Sequence, residues 1–504
     1  RNPDRKNDGF YCRQKTTISL FEIMTDGSLK DKTLTGLFWN GVDKFAYNII
    51  LFTINIIMAR LLSPTDYGLV GIMIVFITFS AILVDGGFVT ALIQKKDRCE
   101  ADFNTVYIIN IITSVLVYLL LFGLSPVIAR FYKEPSLVLL LRVLSLQLII
   151  SAFMSVPLTK LTIEIKFKKI AFTSITSAVI SGIIGITLAF RGFGVWALVA
   201  QQLILLFIKC ILLNLVQQWK PVLRFSIQSC KKLFSFSSKL IASSFIDQIY
   251  LNLYPLIIGK YFSPRTLGIY TRGEQFGKLP VVLLSDIFIK VTLPIMSSIQ
   301  DDVEKLRKLY REYIQASSFI IFAVMMWLFV IAKPLVLLLL TEKWVEAVPV
   351  MQILCLAMMT LHISAINRNL LYVKGRSDLA LKLEIIKKVS VIIIFFVSIN
   401  FGLIGVCIGQ LVYGLYAPTL NSYYTKDLIG VRYWEQFIDY GKFMFIAVVS
   451  ALVPFFLVYH FSSREAQLII PSILYFTLYL SINAVCKTHP YQLMVPILKK
   501  MVRR

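Results

Sequence analysis

The stretch Arg60-Leu-Leu-Ser63-Pro64-Thr-Asp-Tyr-Gly68 follows an apolar run, and 200 positions later Lys260-Tyr-Phe-Ser263-Pro264-Arg-Thr-Leu-Gly268 follows another. The same turn chemistry after two like runs marks a chain built from two similar halves, an organisation common among transporters. The repeat reaches further: Gly194-Val-Trp-Ala197-Leu-Val-Ala-Gln-Gln202 aligns with Gly402-Leu-Ile-Gly405-Val-Cys-Ile-Gly-Gln410 at an offset of 208.

Outward from these turns, Leu37 to Val485 is almost entirely apolar runs of about 20 residues parted by short basic loops, as in a polytopic helical membrane protein. With 57% hydrophobic and only 16% charged residues in 504, a soluble globule is excluded, because its interior could not hide so much apolar surface. The expected fold is an all-α polytopic membrane protein of about fourteen transmembrane helices. Spans 1–6 and 7–12 form two pseudo-symmetric six-helix lobes in parallel orientation, and two C-terminal helices are appended. The expected divisions are a cytoplasmic tail at 1–28, an N-lobe at 29–216, a cytoplasmic inter-lobe linker at 217–239, a C-lobe at 240–420, and spans 13 and 14 with a basic cytoplasmic tail at 421–504.

The net charge of +24 is first a topology signal. Alternate loops and the C-terminal tail carry roughly 29 Lys and Arg (Lys95, Lys96 and Arg98; Lys166, Lys168 and Lys169; Lys499 and Lys500 among them) against about 9 on the other side, which places both termini in the cytoplasm. The basic clusters are therefore topogenic, beside anionic headgroups, and none is assigned to nucleic acid. The seven cysteines are scattered, with neither disulfide nor metal-ligand spacing. The first 30 or so residues lack the apolar core of a signal peptide. Met24 opens an amphipathic lead into the first span, so residues 1–23 are read as an upstream translation artefact or a disordered extra tail, dispensable for function in either case.

Ionisable residues inside spans are costly and usually face a polar cavity or pair with one another. In span one Asn40, Lys44, Tyr47, Asn48 and Asn55 share one helical face, and the counterpart in span seven is Lys239, Ser243, Asp247, Tyr250 and Tyr254. Glu274 with Lys278 and Asp286 with Lys290 are spaced as intrahelical ion pairs, leaving Arg272 without a local partner. Lys209 shares a face with Gln202 and is read as pointing inward. Arg142 and Arg368 sit nearer helix ends, where snorkelling is the plain alternative. His362 is read as a packed hydrogen-bonding residue.

Gly36-Leu-Phe-Trp39, the Arg60–Gly68 turn, Asp85-Gly-Gly-Phe-Val-Thr-Ala-Leu-Ile-Gln94, and Gly268-Ile-Tyr270-Thr-Arg272 followed by Leu279-Pro280 and Pro294 resemble the polysaccharide-transport branch of the multidrug/oligosaccharidyl-lipid/polysaccharide exporter superfamily. The similarity is to Wzx-type flippases and runs from about Leu29 to the final spans. It implies translocation of undecaprenyl-diphosphate-linked oligosaccharide units, for lipopolysaccharide, capsule or exopolysaccharide, from the cytoplasmic to the outer leaflet of the bacterial inner membrane. It also implies a cleft between the lobes opened to each side in turn, and a place alongside a polysaccharide polymerase and chain-length machinery. The default state is a monomer.

A diphosphate crossing a bilayer without compensation costs many kcal/mol, so fixed cations in a wet cleft are required. Lys44, Lys209 and Arg272 are the first candidates for diphosphate or glycan partners, followed by Arg142, Lys278 and Arg368. Tyr47, Tyr250, Tyr254, Asn40 and Asn48 are candidates for sugar contacts. No nucleotide phosphate loop is present in the sequence, and no cofactor or metal is expected. Coupling to a proton or sodium gradient is assigned to Asp43 or Asp247, each of which could equally serve as a salt-bridge partner. A drug exporter would want a net acidic cavity, a peptidoglycan-precursor flippase would differ only in headgroup, and a membrane glycosyltransferase or ligase would need a larger extramembrane loop than this chain has.

Overall fold

The structure, a computed structural model, describes residues 27–95, 97–222 and 224–494. The expected tail up to residue 26, Lys96, and the basic end with Lys499 and Lys500 lie outside the described residues. In chain order the helices are α1 (Gly27–Leu61), α2 (Pro64–Asp85), α3 (Phe88–Gln94), α4 (Glu100–Tyr132), α5 (Leu137–Leu144), α6 (Leu146–Ile163), α7 (Phe167–Phe190), α8 (Val195–Gln217) and α9 (Ile227–Tyr261). They continue as α10 (Pro264–Ser298), α11 (Val303–Leu339), α12 (Ala347–Met358), α13 (Leu361–Val373), α14 (Ser377–Ser398), α15 (Gly402–Asn421), α16 (Thr425–Ile429), α17 (Tyr433–Leu457) and α18 (Arg464–Val485).

Twelve stretches among the described residues are long and apolar enough to cross a membrane, so the protein is a multi-pass membrane protein. One of them, 377–429, holds both α14 and α15. The 35-residue α9 is also of spanning length, and Lys239 and Asp247 lie within its apolar run.

The chain divides into two compact units, one ending at Gly268 and the other beginning at Ile269. In the first, the repeated turn shows why its residues recur. Ser63 caps α2, its Oγ accepting the N–H of Asp66 at 3.3 Å while Asp66 Oδ2 accepts the N–H of Ser63 at 2.9 Å, and Pro64 occupies the first helical turn, where no amide donor is needed. In the second copy Ser263 Oγ accepts the N–H of Thr266 at 3.1 Å, so the cap survives the loss of the acid. At its other end α2 stops on Gly86 and Gly87, with φ of 56° and 68°, a pair of left-handed residues only glycine adopts without strain.

The packing of α1 and α8 onto α7 follows from a small-residue stripe. Ser174, Ser177, Ala178, Ser181, Gly182 and Gly185 are buried on α7. A Cβ on Gly182 would stand 2.2 Å from Ile54 of α1, and one on Gly185 would stand 2.8 Å from Gln201 of α8. Small residues let membrane helices approach this closely without a water-driven force.

The segment after α8 is tied to the start of α4. Trp219 Nε1 donates to Glu100 Oε2 at 3.0 Å, the Val222 amide to Asn104 Oδ1 at 2.9 Å and the Ser226 amide to Thr105 Oγ1 at 3.1 Å. Beyond it α9 packs on α2, α3 and α4. Packing therefore divides the chain one span later than the sequence repeat does, because α9 is held by the helices of the first half.

In the second unit α11 is the central element, with α17 and α18 packed along it. Arg311 of α11 holds Asp439 of α17 through Nε at 2.6 Å and Nη2 at 3.0 Å. Tyr479 of α18 donates to the carbonyl of Phe319 at 2.8 Å. The break between α12 and α13 is secured by Thr360, whose Oγ1 donates to the carbonyl of Gly414 at 2.6 Å.

Candidate functional site

The α1–α7–α8 trio of the first unit assembles a charged group from three helices. Asp43 of α1 lies beside Ser174 of α7 and interacts electrostatically with Lys209 of α8 and with its neighbour Lys44. Lys209 Nζ lies 5.8 Å from the ring centroid of Tyr47, one turn along α1 from Asp43. The stripe on α7 sets this geometry, because only a thin helix surface lets a carboxylate on α1 and an ammonium on α8 share one polar locus. Lys209 thus lies over Tyr47 within the field of Asp43, and the expected face-sharing with Gln202 is only part of its setting.

Lys44 is exposed, on the open face of α1, and so is Asn48, whose Nδ2 donates back to the Lys44 carbonyl at 2.7 Å. The side chain of Asn40 lies outside the described residues. One turn before Asp43, Trp39 lies under Lys168 of α7, the ammonium 5.3 Å from the ring centroid. The group of Lys44, Lys209 and Asp43 carries a net single positive charge, with Tyr47 and Asn48 beside it. Chemically it can hold part of an anion's charge within the membrane and offer hydrogen-bonding groups next to it.

The other sequence candidates fall elsewhere. Arg142 is engaged in helix packing: its Nε donates to Ser125 Oγ at 3.0 Å and its guanidinium carbon lies 4.0 Å from the Phe122 ring centroid. On α9, Asp247 is exposed and Tyr250 and Tyr254 are half-buried, on a helix whose main partners are α2, α3 and α4 rather than α1 or α8.

In the second unit Arg272 does have a local partner, correcting the expectation, since its Nη1 donates to Gln275 Oε1 one turn on. Lys278 and Glu274 form the expected pair at 3.5 Å, whereas among the described residues Asp286 and Lys290 form none. Arg368 of α13 reaches Glu384 of α14 at 3.2 Å, and Glu384 also takes an ion pair from Lys387, whose side chain is almost fully buried. His362 is packed as expected, 3.0 Å from Ser318 Oγ and edge-on to Phe322.

Sequence reasoning missed Ser174, Glu384 and Lys387. Ser174 had no signal beyond its place in a run of small residues. Glu384 and Lys387 both lie within α14, which starts at Ser377. The spacing of three between them was the available sign.

The family profile described as "Polysaccharide biosynthesis protein" matches residues 57–349. The chain is 28% identical over 356 residues to the teichuronic acid biosynthesis protein TuaB of Bacillus subtilis (strain 168), covering 70% of this chain and 74% of that one. It is 25% identical over 441 residues to the lipopolysaccharide biosynthesis protein WzxC of Escherichia coli (strain K12), covering 85% and 88%. Among solved structures, the lipid II flippase MurJ in an inward closed conformation superposes with a TM-score of 0.70 at 15% identity, covering 88% of this chain and 98% of that one. At that identity the likeness speaks for the fold.

Proposed function

The chain belongs to the polysaccharide biosynthesis protein family, and from that premise we propose that it is a Wzx-type flippase. It moves undecaprenyl-diphosphate-linked oligosaccharide repeat units from the cytoplasmic to the outer leaflet of a bacterial cytoplasmic membrane, with both termini in the cytoplasm. It is a transporter, not an enzyme: it shifts the glycolipid between leaflets and makes or breaks no bond in it.

The observation that carries this reading is the membrane-embedded cationic group of Lys209 and Lys44 about Asp43. A lone lysine within a span is expensive, and the Asp43 carboxylate offsets one of the two charges only. The remaining positive charge is what a diphosphate needs to leave the headgroup layer. Lys44, exposed on α1, meets the phosphate as a point charge, while Asn48 and Tyr47 beside it supply polar contacts to the first sugar.

The test is reconstitution in liposomes with an undecaprenyl-diphosphate oligosaccharide and an impermeant glycan-modifying probe. The expected result is protein-dependent exposure of the glycan, lost in the Lys44→Gln, Lys209→Gln double variant. No exposure by the wild-type protein, with fluorescent organic cations transported instead, moves the assignment to a drug exporter. Exposure of a peptidoglycan precursor alone moves it to that lipid.

A further inference from the structure

The stretch Glu164-Ile-Lys166-Phe-Lys168-Lys169 carries the chain from α6 into α7, beside the place where α8 stops. A cavity of about 520 Å³ opens there, lined by Lys168, Lys169 and Phe172 of α7, Leu215 and Val216 of α8, and Gln218 just past it.

The basic groups at this place outnumber the acids that could answer them. Glu164, the nearest acid along the chain, is already taken: Lys166 Nζ lies 2.6 Å from its Oε2 and Gln217 Nε2 donates to its Oε1 at 3.2 Å. Among the described residues Lys168 and Lys169 form no ion pair. Lys168 stands over the Trp39 ring, which has no formal charge, and Lys169 Nζ gives one hydrogen to the Val216 carbonyl at 3.4 Å and keeps two. Lys95, Lys160 and Lys305, also at helix ends, each meet an acid within 2.8 Å. The helix poles do not set the sign, because the amide end of α7 and the carbonyl end of α8 lie together and offset each other. The lining therefore carries two formal positive charges and no negative one.

Topology asks only that such charges flank a span, and lysines turned wholly to water would serve it equally. These two instead border an apolar surface. Phe172 is 59% exposed and Leu215 65%, and the exposed Val179 and Ile183 follow Phe172 at steps of seven and eleven, on the same face of α7. Exposed Ile211 lies one turn back from Leu215 on α8. The apolar face beyond the lysines thus runs for about 16 Å, roughly half of a hydrocarbon core about 30 Å thick. Ammonium groups with uncommitted hydrogens, set over one leaflet's depth of exposed apolar side chains, match an amphiphile with an anionic head. A small hydrated anion has no use for the apolar walls.

We propose that the place where α7 begins and α8 stops binds an anionic phospholipid, with Lys168 and Lys169 on its phosphate and Phe172, Leu215 and Ile211 along its acyl chains. The occupant is a lipid of the surrounding bilayer, so the site is independent of the glycolipid reading.

The experiment is thermal unfolding of the purified full chain in neutral detergent at fixed ionic strength, titrated with dioleoylphosphatidylglycerol, with dioleoylphosphatidylcholine of the same chains, or with inorganic phosphate. Phosphatidylglycerol is expected to raise the melting temperature saturably, at concentrations where the other two do not. Lys168→Gln combined with Lys169→Gln should raise the half-saturating phosphatidylglycerol concentration about 25-fold, at about fivefold for each lysine beside an anionic headgroup. Lys305→Gln combined with Lys308→Gln removes the same charge from exposed side chains at the start of α11 and should leave that concentration unchanged. No preference of the wild-type protein for phosphatidylglycerol over phosphatidylcholine overturns the proposal whether or not the variants fold. Equal stabilisation by inorganic phosphate overturns the lipid in favour of a free anion. An equal loss in the two double variants overturns the site, since it traces the effect to the overall charge of the chain.

Discussion

Gly68 lies against the backbone carbonyl of Pro264 so closely that a Cβ on Gly68 would stand 1.6 Å from that oxygen. The relationship is reciprocal, since a Cβ on Gly268 would stand 1.8 Å from the carbonyl oxygen of Pro64. The two Ser-Pro-x-x-x-Gly copies therefore do more than start a helix in each half: they cross, each glycine against the other's proline. Around the crossing, Lys260 lies over the Phe131 ring at 3.9 Å, and Tyr132 donates to the Leu256 carbonyl at 3.1 Å. A repeat that meets itself constrains both copies together, because the neighbour of each glycine is main chain, which cannot step aside as a side chain can.

Gly68→Ala should accordingly be among the most damaging single-methyl additions available in this chain. We expect destabilisation of about 3 kcal/mol or more, the range of severe overpacking, seen as a fall in melting temperature or failure to purify as a single species. Gly123→Ala is the control. It lies within α4, where an added methyl would meet nothing within 4 Å, and it should be neutral or stabilise by about 0.5–1 kcal/mol through helix propensity. Equal behaviour of the two variants would sink the crossing argument.

The sequence displayed this crossing only in part. It showed the repeat, because Ser, Pro and Gly are each demanded locally by the cap and the turn. It could not show that the two copies touch, since that is a tertiary fact with no periodicity of its own. The same division runs through the candidate site. Asp43, Lys44, Tyr47 and Lys209 were legible because a charge inside an apolar run is conspicuous. Ser174 was not, because a serine beside a part-buried charge looks like any serine of a packing stripe. Arg142 was conspicuous for the same reason as Lys209, yet Ser125 and Phe122 take it up in helix packing. Hydropathy alone does not separate an arginine that packs from one that faces a cavity.

Lys209 and Asp43 allow structure and transport to be separated. Lys209→Gln alone leaves Asp43 part-buried without its main counter-charge, and should destabilise by about 1 kcal/mol, whereas adding Asp43→Asn should recover most of that loss. Lys44 keeps the net single positive charge of the group in the double variant, so glycolipid exposure should return together with stability. Stability recovered without glycolipid exposure would show that Lys209 itself, and not the net charge of the group, serves the substrate.

The Glu384 group makes a contrasting prediction. Glu384→Gln strands Lys387, whose side chain is 6% exposed, and should destabilise by about 2–4 kcal/mol. Arg368→Gln removes a partner that is 39% exposed and leaves the Glu384–Lys387 pair in place, so it should cost under about 1 kcal/mol. Melting temperatures of the two variants check the order. If Arg368→Gln nonetheless abolishes transport, Arg368 acts on the substrate and not on the fold.

The last prediction concerns what fastens the final helices. Two ion pairs join α11 to α17, and they are not equivalent. Arg307 and Glu435 meet at 3.0 Å with both side chains substantially exposed, while Asp439 is 4% exposed and is held by both Arg311 nitrogens and by Gln315 Nε2 at 2.7 Å. Water and salt screen the first pair, so Glu435→Gln should cost under about 1 kcal/mol, an effect that fades as ionic strength rises. Asp439→Asn removes a charge from a place that is 4% exposed but leaves Arg311, itself 34% exposed, in partial contact with solvent, and should cost about 1–3 kcal/mol with less dependence on salt. Lys442 donates to Gln315 Oε1 at 3.1 Å, so the loss would spread along the same face. Limited proteolysis gives a second readout. Release of the end of the chain from α11 should expose cleavage sites after Asn421 in Asp439→Asn and not in Glu435→Gln. An effect of Asp439→Asn as salt-sensitive as that of Glu435→Gln would show that this pair is reached by solvent to the same degree, and would shift the anchoring of α17 and α18 to the apolar packing of Phe319, Phe443 and Tyr479.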